Sequence, residues 1–412
     1  MKRTVKYLLS AALLCCIGSN YGKNEKMSSQ MQENSVGTAY EQSMEEAVLV
    51  AGSAVSANLQ TRAKSAYLMD FGTQTVMYSH NETARLPIAS MCKIMTLLLS
   101  FDAIKAGALD MNEEICVSER AASMGGSQVF LEANAKYTVN NLIKSIVVCS
   151  ANDSCVAMAE RIAGSEELFV DKMNEMAKEI GATNTLFANC TGLPKEPQYS
   201  CAKDVAIMLK NLLHHEEYYQ FGKVWMDKFD HPEGRYTEIT NTNKLVRFYD
   251  GCDGGKTGFT NEAGFCLAAT AKRNNMRIIS VVIGEENSAN RFEDVRTMFD
   301  YAFANYTNTT VAEADVPLEQ PIAVNGGKEK TVPICPARSV YTLEKRGEKS
   351  NVTMELYYEN VKAPLEKGDK VGELVIFKDG VEADRVPLVA FESVKKANFF
   401  DRLQEIARSW NG

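Results

Sequence analysis

The chain has 412 residues, 45% hydrophobic and 24% charged, an ordinary globular composition too long for one typical domain and sufficient for two. Its formal charge of -8 argues against nucleic acid as a partner, because holding phosphates needs a basic surface.

The chain opens with Met1, Lys2, Arg3 and Lys6, then a short apolar run over 8–17, then small and polar residues. That layout predicts a secretory leader over 1–22 and an exported protein, the apolar run being too short to span a bilayer comfortably. Residues 23–56, rich in Ser, Gln, Glu, Asn and Met, read as a flexible spacer. A larger domain is expected over 57–308. In it, 66–70 and 75–78 look like two strands around Gly72. Pro87 stops any earlier helix, and Ser90 opens a helical run whose residues 94–99 are apolar nearly all round, as suits a central buried helix. Residues 140–181 have a helical pattern with a break at 150–153, and 201–220 are helical again. Two strand-like runs, 264–271 and 277–284, flank an Asn-Asn turn, and a helix over 291–306 closes the region. Strands at both ends with helices between them suggest an α/β fold whose terminal strands share one sheet. Short alternating segments with Gly-Asp, Asp-Gly and Pro signals then predict a small all-β domain over 309–390. In the last stretch, 391–412, Phe399, Leu403, Ile406, Ala407 and Trp410 recur at helical spacing, with Lys395, Lys396, Arg402 and Arg408 elsewhere around the turn. This fits an amphipathic helix lying on a membrane surface.

Eleven cysteines are present; without Cys15 and Cys16 of the leader an odd number remains, with no C-x-x-C or metal spacing. Buried structural thiols are the expectation, and no metal or cofactor is called for.

Three short motifs carry chemistry. In Ser90-Met91-Cys92-Lys93 the hydroxyl and the amine share one helix face, so a lysine held neutral by burial can take the serine proton and make a nucleophile. In Ser150-Ala151-Asn152, at the helix break, the serine can relay a proton to a leaving amine and the asparagine amide can hold a substrate carbonyl. In Lys256-Thr257-Gly258 a cation and a hydroxyl suit a substrate carboxylate, and Gly258 allows an extended peptide close to a strand edge. None is specific alone: Ser393 to Lys396 repeats the first pattern, and Ser56 and Ser288 each begin another Ser-Ala-Asn. The signal lies in order and context, with about sixty residues from the first to the second and about a hundred more to the third.

With those motifs, the segments 87–93, 126–131, 152–155, 177–192 and 250–265 resemble the low-molecular-mass penicillin-binding proteins, the serine D-alanyl-D-alanine carboxypeptidases. The resemblance implies a penicilloyl-serine-transferase fold, a sheet flanked by helices with an all-helical lobe. It further implies that Ser90 attacks the carbonyl between the two terminal D-alanines of a peptidoglycan stem peptide. Lys93 would accept the proton and an acyl-enzyme would form, with β-lactams as covalent inhibitors. Backbone N–H groups of Ser90 and Phe259 would make the oxyanion hole. Ser150 and Lys256 would assist proton transfer, Thr257 would bind the terminal carboxylate, and Arg291 would stand near it.

Other readings are weaker. The four histidines lie outside the motifs and no G-x-S-x-G elbow occurs, against a Ser-His-Asp hydrolase. A class A β-lactamase would need Ser-Asp-Asn and an acidic loop, which this chain lacks, so penicillin is expected to inhibit. A non-catalytic wall-binding module would lack the serine or lysine. A DD-endopeptidase on cross-links would use the same residues.

Overall fold

The computed structural model describes residues 59–401 apart from 349 and 359, together with the backbone of Arg3–Leu8. The rest of the leader, the spacer 23–56 and the tail beyond Asp401 lie outside the described residues. These fall into two compact units, one within Ala57–Thr307 and one from Asn308 onward that includes Arg3–Leu8.

In the first unit five strands make one antiparallel sheet: β1 (Ser65–Asp70), β2 (Val76–His80), β3 (Cys252–Thr260), β4 (Gly264–Arg273) and β5 (Met276–Glu285), in the order β2-β1-β5-β4-β3. N-terminal and C-terminal strands therefore share a sheet, as the sequence suggested. The β4–β5 turn needs Asn274 in the left-handed region, φ 52°, which asparagine tolerates. Strands β1 and β5 are buried along nearly their whole length, because both sheet faces are covered. Alternation divides them: Ile279, Val281 and Ile283 join the core beneath the helical lobe, while Ser280 meets Met298 on the closing helix.

The lobe holds α1 (Lys93–Lys105), α2 (Val139–Cys149), α3 (Asn152–Ala163), α4 (Glu166–Glu179) and α5 (Ala202–Leu212); α6 (Ser288–Asn305) packs on β4 and β5. Residues 93 to 101 of α1 are all buried, so this helix has no solvent face and needs no amphipathic pattern. Thr138 caps α2, Ser165 caps α4 and Asn287 caps α6, each side chain accepting a backbone N–H three residues on. Gly164, at φ 86°, ends α3 and divides what the sequence offered as one helical stretch.

Three further differences stand out here. Lys256-Thr257-Gly258 lies inside edge strand β3, a strand that the sequence pattern did not mark. A hairpin, Met226–Asp230 with Tyr236–Thr240, was not foreseen, because only Phe229 and Ile239 of its strands are buried and the alternation is faint. The helical stretch 201–220 breaks after Leu212 into a 3-10 turn, Glu216–Tyr218, and a short helix.

The second unit is all-β, its main sheet running Arg3–Leu8, Val352–Tyr358, Lys370–Lys378, Val381–Ala390 and Ile334–Pro336, each strand antiparallel to the next. The leader was expected to stand outside the fold; instead Arg3–Leu8 pairs with Val352–Tyr358, Arg3 opposite Tyr358 and Leu8 opposite Thr353. An otherwise open strand edge accepts any extended segment through its backbone groups. The expected helix over 391–412 also starts later. Val394, 2% exposed, is part of this unit's core and bridges Leu365, as Lys396 bridges Gly327; helix begins only at Phe399. Among the described residues no helix is long and apolar enough to cross a membrane.

Candidate active site

Ser90 sits in a 3-10 turn, Ala89–Cys92, that runs into α1. One turn later Lys93 donates from Nζ to Ser90 Oγ at 3.0 Å and to the Thr191 carbonyl. The lysine is wholly buried, and burial pushes its ammonium below the usual range. Lys256, 2% exposed, is driven lower still by burial and then by the charge of Lys93. Two buried amines this close cannot both hold a proton cheaply. Burial and mutual repulsion thus both favour the neutral form of these amines, and it is Lys93 that contacts the serine.

Backbone fit holds the serine turn in place. Ala89 has φ 46°, a costly conformation for alanine. A side chain on Gly192 would overlap the Ala89 carbonyl, and a Cβ on Gly258 would stand 2.6 Å from Ile88 O and 3.3 Å from Ser90 N. These glycines let the loop after Cys190 and edge strand β3 close on the turn from two sides. The Ser90 N–H and the strand at Gly258-Phe259 are thereby neighbours. Phe259 itself is 50% exposed and lies against Phe265, ring centroids 4.3 Å apart.

Ser150 ends α2 in the left-handed region, φ 67°, and Asn152 begins α3. Asn152 donates from Nδ2 to Gly125 O at 2.7 Å and from its backbone to Ser127 O at 2.7 Å. Next to it the buried Asp153 carboxylate accepts from the backbone N–H groups of Val129, Leu131 and Ser154. This fastens the segment around Gly126 to the helix break. Ser150 Oγ and Asn152 Oδ1 are both buried without a hydrogen-bond partner. Unsatisfied polar atoms of this kind are rare in folded proteins, and here they are available to a ligand. Lys256 also lies in the field of Cys149, just before Ser150, and of Cys155.

Lys256 Nζ donates to Thr257 O at 3.0 Å, and the Thr257 and Thr242 hydroxyls are 2.7 Å apart. Arg291, on α6, reaches Gly258 O and Cys266 O at 3.3 and 3.4 Å, with its buried Nε unpaired. Burial lowers this guanidinium to about 10, and it remains a cation near neutrality. All nine residues singled out in the sequence thus lie on the serine turn, the helix break, edge strand β3 or the helix beside it. Thr242 and the Thr191 carbonyl were not foreseen, since no local pattern marks a residue that serves through a single hydroxyl or backbone oxygen.

The decoys separate clearly. Ser393 belongs to the β unit, where its hydroxyl donates to Glu366 and accepts from Lys367 N. His231 is bound between Tyr137 and Thr237, and His215 faces Asp102 at 3.0 Å. No group of three metal-type side chains occurs among the described residues. Among the described residues nine cysteines are free, seven of them buried; burial pushes the thiols of Cys149 and Cys155 up to about 12, which keeps them protonated.

Residues 51–287 match the family described as D-alanyl-D-alanine carboxypeptidase, and 306–396 match the C-terminal domain of penicillin-binding protein 5. D-alanyl-D-alanine carboxypeptidase DacF of Bacillus subtilis is 42% identical over 86% of this chain and 92% of its own length. DacC of Escherichia coli, of the same description, is 32% identical over 83% of this chain and 86% of its own. Among solved structures, penicillin-binding protein 5 of Haemophilus influenzae aligns with a TM-score of 0.65 at 29% identity, covering 82% of this chain and 98% of that one.

Proposed function

This chain belongs to the D-alanyl-D-alanine carboxypeptidase family of low-molecular-mass penicillin-binding proteins and is a serine-type carboxypeptidase; from that premise we propose that Ser90 is its nucleophile and Lys93 the base that activates it. The observation that carries this is the 3.0 Å contact between a buried lysine amine and the serine hydroxyl.

The scissile bond joins the last two D-alanines of a peptidoglycan stem peptide. Ser90 Oγ attacks the carbonyl carbon and its proton passes to Lys93 Nζ. Charge on the carbonyl oxygen is met by the N–H groups of Ser90 and Phe259. The C–N bond then breaks, and the departing D-alanine amine takes a proton relayed through Ser150, with Lys256 holding the relay's charge. Asn152 Oδ1, left unpaired in the free protein, receives an N–H of the stem peptide. Lys256, Thr257 and Arg291 set a positive, hydroxyl-bearing end for the terminal carboxylate. Water hydrolyses the ester and restores Ser90. A β-lactam enters by the same attack, but its leaving amine stays tethered to the acyl group and is not released as D-alanine is, so the ester on Ser90 is hydrolysed slowly.

The protein acts outside the cytoplasm, after export directed by residues 1–22, on the outer face of the membrane. The helix begun at Phe399, with Phe399 and Phe400 72% and 73% exposed, supports a surface-lying membrane contact for the tail. Deleting residues 399–412 should release the protein from membranes while leaving hydrolysis of a soluble peptide intact.

The deciding experiment is brief exposure to a penicillin followed by mass spectrometry of peptides. An adduct on Ser90, absent in Ser90→Ala and retained in Ser393→Ala, is expected; an adduct elsewhere sinks the assignment. Release of D-alanine from a pentapeptide in preference to cleavage of a cross-linked dimer separates carboxypeptidase from endopeptidase action.

A further inference from the structure

A cavity of about 400 Å³ opens in the β unit among Tyr357, Tyr358, Lys370, Gly372, Glu373 and Arg385. Leu356, Leu374 and Val386 carry the core face of these strands, so Tyr357 and Glu373, paired across the ladder, lie on the outer face. In a regular strand, residues three apart point to opposite faces. Here Val371 and Ala383 are extra residues in the ladder between Lys370–Lys378 and Val381–Ala390. These two bulges turn Lys370 to the side of Glu373, and Glu382 to the side of Arg385. Lys370 Nζ donates to Glu373 Oε1 at 3.0 Å and Arg385 Nη1 to Glu373 Oε2 at 2.9 Å, while Arg385 also makes a two-pronged contact with Glu382 at 2.9 Å. Bulges collect beside functional sites, where they re-aim side chains in this way.

The chemistry of the cavity says what it takes. The Arg385 guanidinium stands 6.0 Å from the centre of the partly buried Tyr357 ring, and the Tyr357 hydroxyl donates to Glu355, which fixes the ring. Lys370 and Arg385 are each matched by a carboxylate, and Glu355 adds negative charge, so nothing draws in a phosphate or a carboxylate. Glu373 and Glu382 already hold cations, so an ammonium group finds no free carboxylate. What remains is an aromatic face bordered by fixed carboxylate lone pairs and the spare N–H groups of Lys370. That combination suits a ring with an apolar face and hydroxyls around its edge. We propose that this cavity is a saccharide site and binds the neutral N-acetylhexosamine backbone of peptidoglycan. The identity of the polymer rests on the proposed catalytic reading; the inference adds that the β unit grips the glycan while the other unit cuts its stem peptide.

The probes are insoluble glycan stripped of its peptides and the N-acetylglucosamine tetramer chitotetraose, with penicillin acylation of Ser90 followed in the same samples. The unaltered protein should co-sediment with the stripped glycan, and chitotetraose should release it. Tyr357→Ala should weaken binding roughly five-fold, the scale of one stacked ring, with acylation unchanged. Arg385→Lys keeps the charge but gives up the planar fork and should weaken binding to a similar extent, whereas a purely electrostatic site would not notice it. Should Tyr357→Ala unfold the β unit, seen as a lowered Tm, Arg385→Lys decides. The saccharide site is refuted if the unaltered protein does not bind the stripped glycan, if either variant keeps full binding while folded, or if inorganic phosphate releases the protein as well as chitotetraose does. Release by a synthetic peptide of residues 2–9, with none by chitotetraose, would also refute it, the occupant then being a strand added to the edge at Val352–Tyr358. A missing adduct on Ser90 would refute the catalytic reading and leave the glycan measurement standing.

Discussion

Lys93 Nζ stands 3.0 Å from Ser90 Oγ, one helical turn away, with no exposure to solvent. The amine's value as a base depends on its being neutral, and burial favours that state. Below its lowered pKa it is an ammonium and cannot take the serine proton. Penicillin acylation should therefore fall as pH drops through that range and level off above it. Lys93→Met should cut acylation by roughly 10²–10⁴-fold, the usual worth of a general base, without lowering thermal stability, because removing a buried amine relieves its desolvation. A pH-independent acylation rate between pH 5 and 9, or full activity in Lys93→Met, would remove Lys93 from the mechanism.

Gly192 and Gly164 make a matched pair for testing backbone fit. Both have positive φ, 80° and 86°, so alanine strains either site by about 1 kcal/mol. Only Gly192 has a neighbour in the way, the Ala89 carbonyl beside the nucleophile; a Cβ on Gly164 meets nothing within 4 Å. Gly164→Ala should lower Tm slightly and leave acylation untouched. Gly192→Ala should slow acylation at least tenfold as the serine turn shifts. Equal acylation rates in the two variants would show that the close approach is not needed.

The contrast between these motifs also explains what was legible in the sequence. Ser90 and Lys93 could be paired because helical spacing alone puts them on one face. The strand that carries Lys256 could not be read, since Gly254, Gly255 and Gly258 depress strand propensity. Those glycines answer to tertiary contacts: the Tyr218 ring fills the Cβ position of Gly254, its hydroxyl accepts from Gly255 N at 2.9 Å, and Gly258 abuts Ile88 O. Similarly, Val394 reads as part of a polar tail but is buried under Leu365. Long-range packing of this kind leaves no periodic trace.

Asp153 fastens the helix break to the segment that Asn152 also holds. Its buried carboxylate takes the N–H groups of Val129 and Leu131, each at 3.1 Å. Replacing it with alanine leaves those donors buried and unpaired, at a cost of about 1–3 kcal/mol each. For a domain of this size Asp153→Ala should lower Tm by roughly 4–24 °C and slow acylation through Asn152. Asp153→Asn, which keeps one acceptor oxygen, should recover part of both. Calorimetry and acylation rates check this; an unchanged Tm in the alanine variant would mean the backbone donors find other partners.

Glu285, at the end of β5, is 1% exposed with neither carboxylate oxygen hydrogen-bonded. Burial first, and Asp294 second, push its carboxyl up to about 8, against an opposing pull from Arg62. Asp294 and Glu293 approach from α6, Arg62 from the chain before β1, where it pairs with both acids; Glu286 follows in sequence, and the Lys64 stem packs on Gly284. The folded protein thus holds a proton on Glu285 that the unfolded chain has released above the ordinary glutamate range. Its contribution to stability is complete below about pH 4.5 and is lost as pH rises through about 8. Between pH 5.5 and 9 the Tm of the unaltered protein should fall more than that of Glu285→Gln, which stays neutral throughout. The two should therefore converge at the acid end and separate by several degrees at the alkaline end. Parallel curves would mean that Glu285 is ionised in the folded protein already at neutral pH.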